Sequence, residues 1–172
     1  MGKTDGPITV VICDAGPLIH LDELDSLALL VDFPRVIVPE TVWQEVEKHR
    51  LGALSHPSVA LERLPTSVSN DPTIESVAKL FSLHRGEKEA LFAMRKFTGD
   101  LLLTDDAAAR LAAKALGMRA HGTLAVLIRS IRRGQKSKEE LLSILRSIPQ
   151  RTSLFIKRSF LEEAIQQVEK EI

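Results

Sequence analysis

Two apolar runs in this chain end directly in acids. Ile8-Thr9-Val10-Val11-Ile12-Cys13 stops at Asp14, and Leu101-Leu102-Leu103-Thr104 stops at Asp105 and Asp106. Continuous apolar runs of this length read as strands buried on both faces of a sheet, and in open α/β sheets chemistry collects just beyond the carboxyl ends of such strands. The two carboxylate clusters are therefore expected to face one crevice.

The rest of the pattern agrees with alternating strands and helices. After Ala15-Gly16-Pro17, the stripe Leu18, Leu21, Leu24, Leu27 and Leu30 predicts a helix. Val36-Ile37-Val38 reads as a second strand, and Pro39 suits the first turn of a helix through Thr41 to Glu47. Val59 to Leu64, ended by Pro65, reads as an edge strand. Helical patterns follow over Ile74 to Leu83 and Gly86 to Phe97, and Gly99-Asp100 breaks the chain before the Leu101 strand. Ala107 to Leu116 forms helix until Gly117, Met118 to His121 reads as a last short strand, and the stripe Leu124, Leu127, Ile128, Ile131 ends at Gly134. Two amphipathic segments close the chain, Lys138 to Ile148 and Phe155 to Val168. This order predicts a parallel sheet covered on both faces.

The 172 residues suit one domain, long enough to bury about two thirds of its unfolded surface. Residues 1–172 are read as that single domain, with C-terminal helices over 138–172 packed on it or extending it. With 44% hydrophobic and 27% charged residues, the chain is not of the disordered class. The lone Cys13 excludes an internal disulfide and a cysteine-based metal site, as in a reducing cytosol. No apolar stretch approaches the roughly 20 residues that span a bilayer, and Met1 to Asp5 leads into the first strand without a cleavage-site pattern. The expected location is cytoplasmic, with no membrane partner.

A formal net charge of zero hides an uneven distribution. Residues 1–106 carry 17 acids against 10 Lys and Arg, whereas 107–138 carry eight Lys and Arg and no acid. The basic segment reads either as a polyanion contact or as a solvated helix face.

Two further acids sit where the apolar pattern expects a hydrophobe. Glu87 leads the stripe Ala90, Leu91, Met94, and Glu45 lies between Val42 and Val46. A carboxylate on such a stripe is costly unless it is paired, hydrogen-bonded or bound to a cation. Asp14, Glu45, Glu87 and Asp105 together would repel one another, and the simplest neutralising partner is a hard divalent ion, Mg²⁺ or Mn²⁺. Each acid also has a structural reading. Asp14, Asp105 and Asp106 suit helix N-caps, Glu87 suits a first helical turn, and Glu45 suits a rim. Other chemistries find no support: there is no phosphate-binding Gly-rich loop, no G-x-S-x-G elbow, and no paired ligand spacing among His20, His49, His56, His84 and His121. His121 follows the last strand and is read as structural, close to the rim.

The chain resembles the PIN-domain family, in particular its small prokaryotic branch. The resemblance rests on Asp14-Ala15-Gly16-Pro17-Leu18-Ile19-His20-Leu21, Val36 to Glu45, Arg85 to Leu91, Leu101 to Asp106, and Gly122 to Leu127, in order over nearly the whole chain, with Phe155, Ile156 and Leu161 similar to the branch's C-terminal helix. It implies a three-layer α/β/α sandwich with a parallel sheet of order 3-2-1-4-5, and Mg²⁺- or Mn²⁺-dependent cleavage of RNA. The family's acids carry over to Asp14, Glu45, Glu87 and Asp105 as catalytic residues, with metal on Asp14, Glu87, Asp105 and Asp106, and Thr104 bonding a carboxylate. One departure is Gly16, where many relatives carry Ser, Thr or Asn.

The expected activity is a metal-dependent endoribonuclease. Arg85, Lys88 and Arg110 are its nearest phosphate contacts, and Arg129, Arg132, Arg133 and Lys136 lie further along the strand. The resemblance also suggests a toxin role, a small antitoxin partner and a homodimer. The alternative is a non-catalytic nucleic-acid-binding or regulatory module, which Gly16 mildly favours. A dehalogenase-type phosphatase or a phospho-accepting receiver fits less well: Gly16 stands where the first needs a second Asp, and Ala120 to Thr123 lacks the lysine the second needs.

Overall fold

The computed structural model describes residues 6–68 and 70–171. Its strands are β1 (Val10–Cys13), β2 (Arg35–Pro39), β3 (Leu61–Leu64), β4 (Leu101–Leu103) and β5 (Ala120–His121). They pair in parallel throughout, in the order β3-β2-β1-β4-β5. The helices are α1 (Ala15–Glu23), α2 (Glu40–Arg50), α3 (Pro72–Leu80), α4 (Arg85–Lys96), α5 (Ala107–Ala115), α6 (Thr123–Arg132), α7 (Lys138–Arg151) and α8 (Arg158–Lys170).

The apolar runs are continuous because the sheet is covered on both sides. Side chains alternate along a strand, so Val11, Cys13, Val36, Val38, Leu101 and Leu103 enter one core with residues of α1, α2, α6, α7 and α8. Ile12, Ile37 and Leu102 enter the other with Ile74 of α3, Leu91 of α4 and Ala112 of α5. The molecule has the parallel sheet covered on both faces that the pattern predicted, and is the three-layer α/β/α sandwich that the resemblance implied.

Several boundaries differ from expectation. The leucine stripe from Leu18 to Leu30 is not one helix: α1 ends at Glu23, Asp25 turns the chain at φ 50°, and Leu27–Asp32 forms 3₁₀ turns. A strict three-residue spacing drifts around an α-helix but matches the 3₁₀ period, so the break lets all five leucines stay buried. At the C-terminus, α8 starts at Arg158, and Phe155 lies before it, 88% exposed. No described helix is long and apolar enough to cross a membrane. The leader reading of Met1 to Asp5 lies outside the described residues.

Asp100 fastens the middle of the sheet. Its Oδ2 accepts from the Thr9 and Val10 amides, both at 2.9 Å, and from the Thr9 hydroxyl at 2.7 Å, which sets where β1 enters beside β4. Asp100→Ala leaves these donors without their acceptor. Chemical denaturation is expected to give a protein less stable by about 1–2 kcal/mol with an unchanged denaturant slope.

Candidate active site

Asp14 stands at the carboxyl end of β1, beside β4. Its amide donates to the Leu103 carbonyl at 2.9 Å, extending the β1–β4 ladder by one bond. Its extended backbone makes it the N-cap of α1. Oδ1 accepts from the Ala15 amide and Oδ2 from the Thr104 hydroxyl, each at 2.9 Å. The residue is only 9% exposed. Burial pushes its carboxyl up to about 6; the two hydrogen bonds oppose that rise, and the charges of Glu87 and Glu45 add to it. Asp14 thus caps a helix and also bears an unrelieved negative charge.

Glu45 and Glu87 are brought together by the contact between α2 and α4. Pro39 precedes α2 and has no side chain with which to cap it. Glu89 of α4 takes over this task, accepting from the Thr41 amide at 3.1 Å and the Thr41 hydroxyl at 2.8 Å. Gly86 permits the close approach: a Cβ there would lie 3.3 Å from Val42 Cγ2. Nothing in the residue pattern singled out Glu89, because its partner is 48 residues away. Asp22, Glu23, Asp25, Glu62 and Glu75 make surface bonds to Arg50, Ser153, Arg151, Arg35 and Lys88.

Glu45 is not on the buried stripe where the pattern put it. Val42 and Val46 are fully buried, and Glu45, one helical step of about 100° from Val46, is exposed and lines the cleft. Glu87 is half-buried, and its Oε2 accepts from the His84 amide at 2.8 Å. Its pKa is raised by burial first; the His84 amide counteracts this, and the charges of Asp106 and Glu45 raise it further. As with Asp14, the capping and the charged-site readings hold at once.

The two acids after β4 part company. Asp106 caps α5, its Oδ1 accepting from the Ala109 amide at 2.7 Å, and its charge is felt by Glu87. The Asp105 carboxylate is committed elsewhere. Oδ1 accepts from the Thr123 amide at 2.6 Å, while Oδ2 accepts from the Thr123 hydroxyl at 2.6 Å and lies 2.7 Å from His20 Nδ1. It clasps the start of α6 and the side of α1 to the end of β4. Two glycines make room for this clasp. A Cβ at Gly122 would fall 2.5 Å from Asp105 Oδ1, and one at Gly16 would fall 3.2 Å from Asp105 Oδ2. A side chain at position 16 would require the Asp105 carboxylate to shift by a few tenths of an ångström. His20 went unassigned in the sequence because its partner is 85 residues distant.

These groups line one open cleft of about 1120 Å³, with Asp14, Glu45, Glu87, Asp105 and Asp106 along it, Arg110 and His121 nearby, and an apolar wall that includes Leu124, Ile128, Phe155 and Phe160. His121 is exposed rather than structural, and its pKa is lowered by partial burial and by the charges of Arg119 and Arg110. Of the three expected phosphate contacts, Arg110 alone lines the cleft. Arg85 pairs with Glu89 and Lys88 with Glu75, because the helix turns both away from the face that bears Gly86 and Glu87. Arg129 and Arg133 are likewise drawn off, pairing with Asp32.

A parallel sheet of order 3-2-1-4-5 with acids at its strand ends defines an α/β protein of nuclease-like fold. The PIN-domain family model matches residues 10–170, and the chain belongs to that family. No curated protein matches the chain in sequence. PIN domains are in general nucleases, which makes this chain a nuclease-class hydrolase, and they typically use divalent metals. Among the described residues no three His, Cys, Asp or Glu side chains stand at ligand spacing. The carboxylates do raise one another's pKa across the cleft, a strain that positive charge relieves. An all-oxygen donor set of this kind fits a hard divalent ion.

Two expectations follow. The folded pKa of Asp14 lies above its ordinary 3.8, so its contribution to stability is complete below that value and is lost as pH rises through about 6. The full loss is about 3 kcal/mol in metal-free protein. Thermal melts across this range should show wild type losing stability relative to Asp14→Asn, and Mn²⁺ restoring it in wild type alone. Gly122→Ala drives a methyl into Asp105 Oδ1 and is expected to cost about 1–3 kcal/mol by denaturant titration.

Proposed function

We propose that this PIN domain is a Mg²⁺- or Mn²⁺-dependent endoribonuclease that hydrolyses phosphodiester bonds in RNA. The observation that carries the reading is Asp14, a nearly buried carboxylate held at the end of β1 against the charges of Glu45 and Glu87, at an open cleft. Asp14, Glu87 and Asp106 would hold the cation, and Glu45 would orient a second ion or a water. A divalent ion bound there supplies Lewis acidity toward a water and a phosphoryl oxygen. Arg110, which lines the cleft, offers positive charge to the phosphate.

Asp105 is a positioning residue in this scheme. Its bonds to Thr123 and His20 keep the end of β4 in register with α1 and α6, and so keep Asp106 and Asp14 facing the same space. A module that only binds polyanions gains nothing from a clustered negative charge in its cleft, which favours the enzyme over the non-catalytic alternative. The toxin role, the small antitoxin and the homodimer belong to the same proposal and rest on the family resemblance. A short separately encoded partner that co-purifies with the chain and suppresses its activity would support them.

The test is cleavage of a mixed pool of structured and single-stranded RNAs with Mn²⁺, Mg²⁺ or EDTA. Asp14→Asn and Asp106→Asn should lose metal-dependent cleavage by at least about a hundredfold and lose Mn²⁺ binding in calorimetry. Asp105→Asn should lose about 10- to 100-fold, as outer groups around a metal do, together with thermal stability, while still binding Mn²⁺. Cleavage that persists in EDTA or in Asp14→Asn would refute the proposal.

A further inference from the structure

The basic segment after residue 106 is sorted by the fold into spent and available charge. Arg129 and Arg133 share Asp32, and Lys138 donates to the Glu169 carbonyl. Arg110, Lys114 and Arg119 have no carboxylate partner within 4 Å among the described residues; Arg110 bonds only the Thr104 carbonyl, at 3.2 Å. All three line one shallow groove of about 510 Å³ between α5 and the edge strand β5, together with His121, Leu111 and Met118. Ala107, Arg110, Ala120 and His121 line the acidic cleft as well, so the groove opens directly from it.

We infer that this groove is the path by which the RNA strand leaves the acidic cleft, with successive phosphates on Arg110, Lys114 and Arg119 and the sugar-base side against Leu111 and Met118. The inference rests on the nuclease reading of the cleft. A phosphodiester brought to a cluster of carboxylates is repelled along the rest of its chain, and binding needs compensating positive charge close by. Lys114 follows Arg110 by four residues, which puts both on the same face of α5. Leu111 is 56% exposed, an apolar surface beside cations, as suits a strand with charged and stacking sides. An acidic peptide is the rival occupant. It would use the groove but not the adjoining carboxylates, whereas a phosphodiester chain uses both.

The test is the variant Lys114→Glu with Arg119→Glu, neither of which is among the catalytic acids. A labelled single-stranded RNA is bound in Ca²⁺, with its integrity checked on a gel, while hydrolysis of bis(p-nitrophenyl) phosphate in Mn²⁺ reports the acidic cleft alone. The variant is expected to bind RNA at least about tenfold more weakly at low salt, with a shallower slope of affinity against salt by about 1.4, some 0.7 per lost phosphate contact on a single strand. Its hydrolysis of the small diester should match wild type. Lys79→Glu with Lys170→Glu makes the same change in net charge at exposed positions outside the groove and the cleft and should leave RNA binding near the wild-type value.

Unchanged RNA affinity and salt slope in the groove variant would overturn the path. Equal weakening by the control pair would overturn it too, by reducing the effect to net charge. So would loss of binding to a polyglutamate peptide with RNA binding intact, which would make the groove a protein-docking surface. Failure of wild type to hydrolyse the small diester would instead count against the nuclease reading, and the RNA-binding comparison would still decide the path.

Discussion

The register between β1 and β4 is the constraint on which the site depends. Cys13 pairs with Leu103, so the two strands run out together and the acids that end them emerge side by side. Asp14 then finds the Thr104 hydroxyl and the Leu103 carbonyl within hydrogen-bonding distance. A slip of one residue would send Asp14 to the opposite face of the sheet, where Cys13 and Leu103 meet Leu18 of α1 and Leu127 of α6. Asp100 acts at the other end of the same strand pair. It holds the Thr9 and Val10 amides, so the register is secured where β1 begins and used where it ends.

Around that axis, four of the five acids of the cleft are held by a backbone group that needs an acceptor. Asp14 serves the first turn of α1, Glu87 that of α4, Asp106 that of α5 and Asp105 that of α6. Helix N-termini carry partial positive charge, so these ends draw carboxylates toward the crevice at the carboxyl edge of the sheet. The same bonds that stabilise the helices consume some of the lone pairs. Asp105 is consumed most, and its carboxylate works as a clasp with Thr123 and His20. Asp14 and Glu87 keep charge facing the cleft, at the cost of a raised pKa.

Much of this was legible along the chain. The continuous apolar runs gave away two covered faces, since alternating residues could all be hydrophobic only if both sides were buried. The order of strands and helices led to the parallel sheet, and the acids at strand ends stood out because they interrupt apolar runs. The leucine stripe misled at Leu24 to Leu30 because spacing of three is compatible with two helix types, and only the positive φ of Asp25 separates them. Glu45 misled by one helical step: a stripe fixes which residues are apolar, but a residue at its edge turns toward whatever neighbour the tertiary structure provides. The basic segment was visible as a count, and the count could not tell Arg129, taken by Asp32, from Arg119, which faces a groove.

The sequence by itself determined the layers, the all-parallel sheet and the set of acids at its carboxyl edge, because hydrophobic periodicity and strand-end residues are local properties. The tertiary structure alone decided how those acids divide their work. Asp105 and Asp106 are adjacent in sequence, yet one is bound to Thr123 and His20, residues 18 and 85 positions away, while the other stays exposed. Hydrogen bonds and ion pairs act over a few ångströms in space, and no spacing along the chain records which distant group will arrive there.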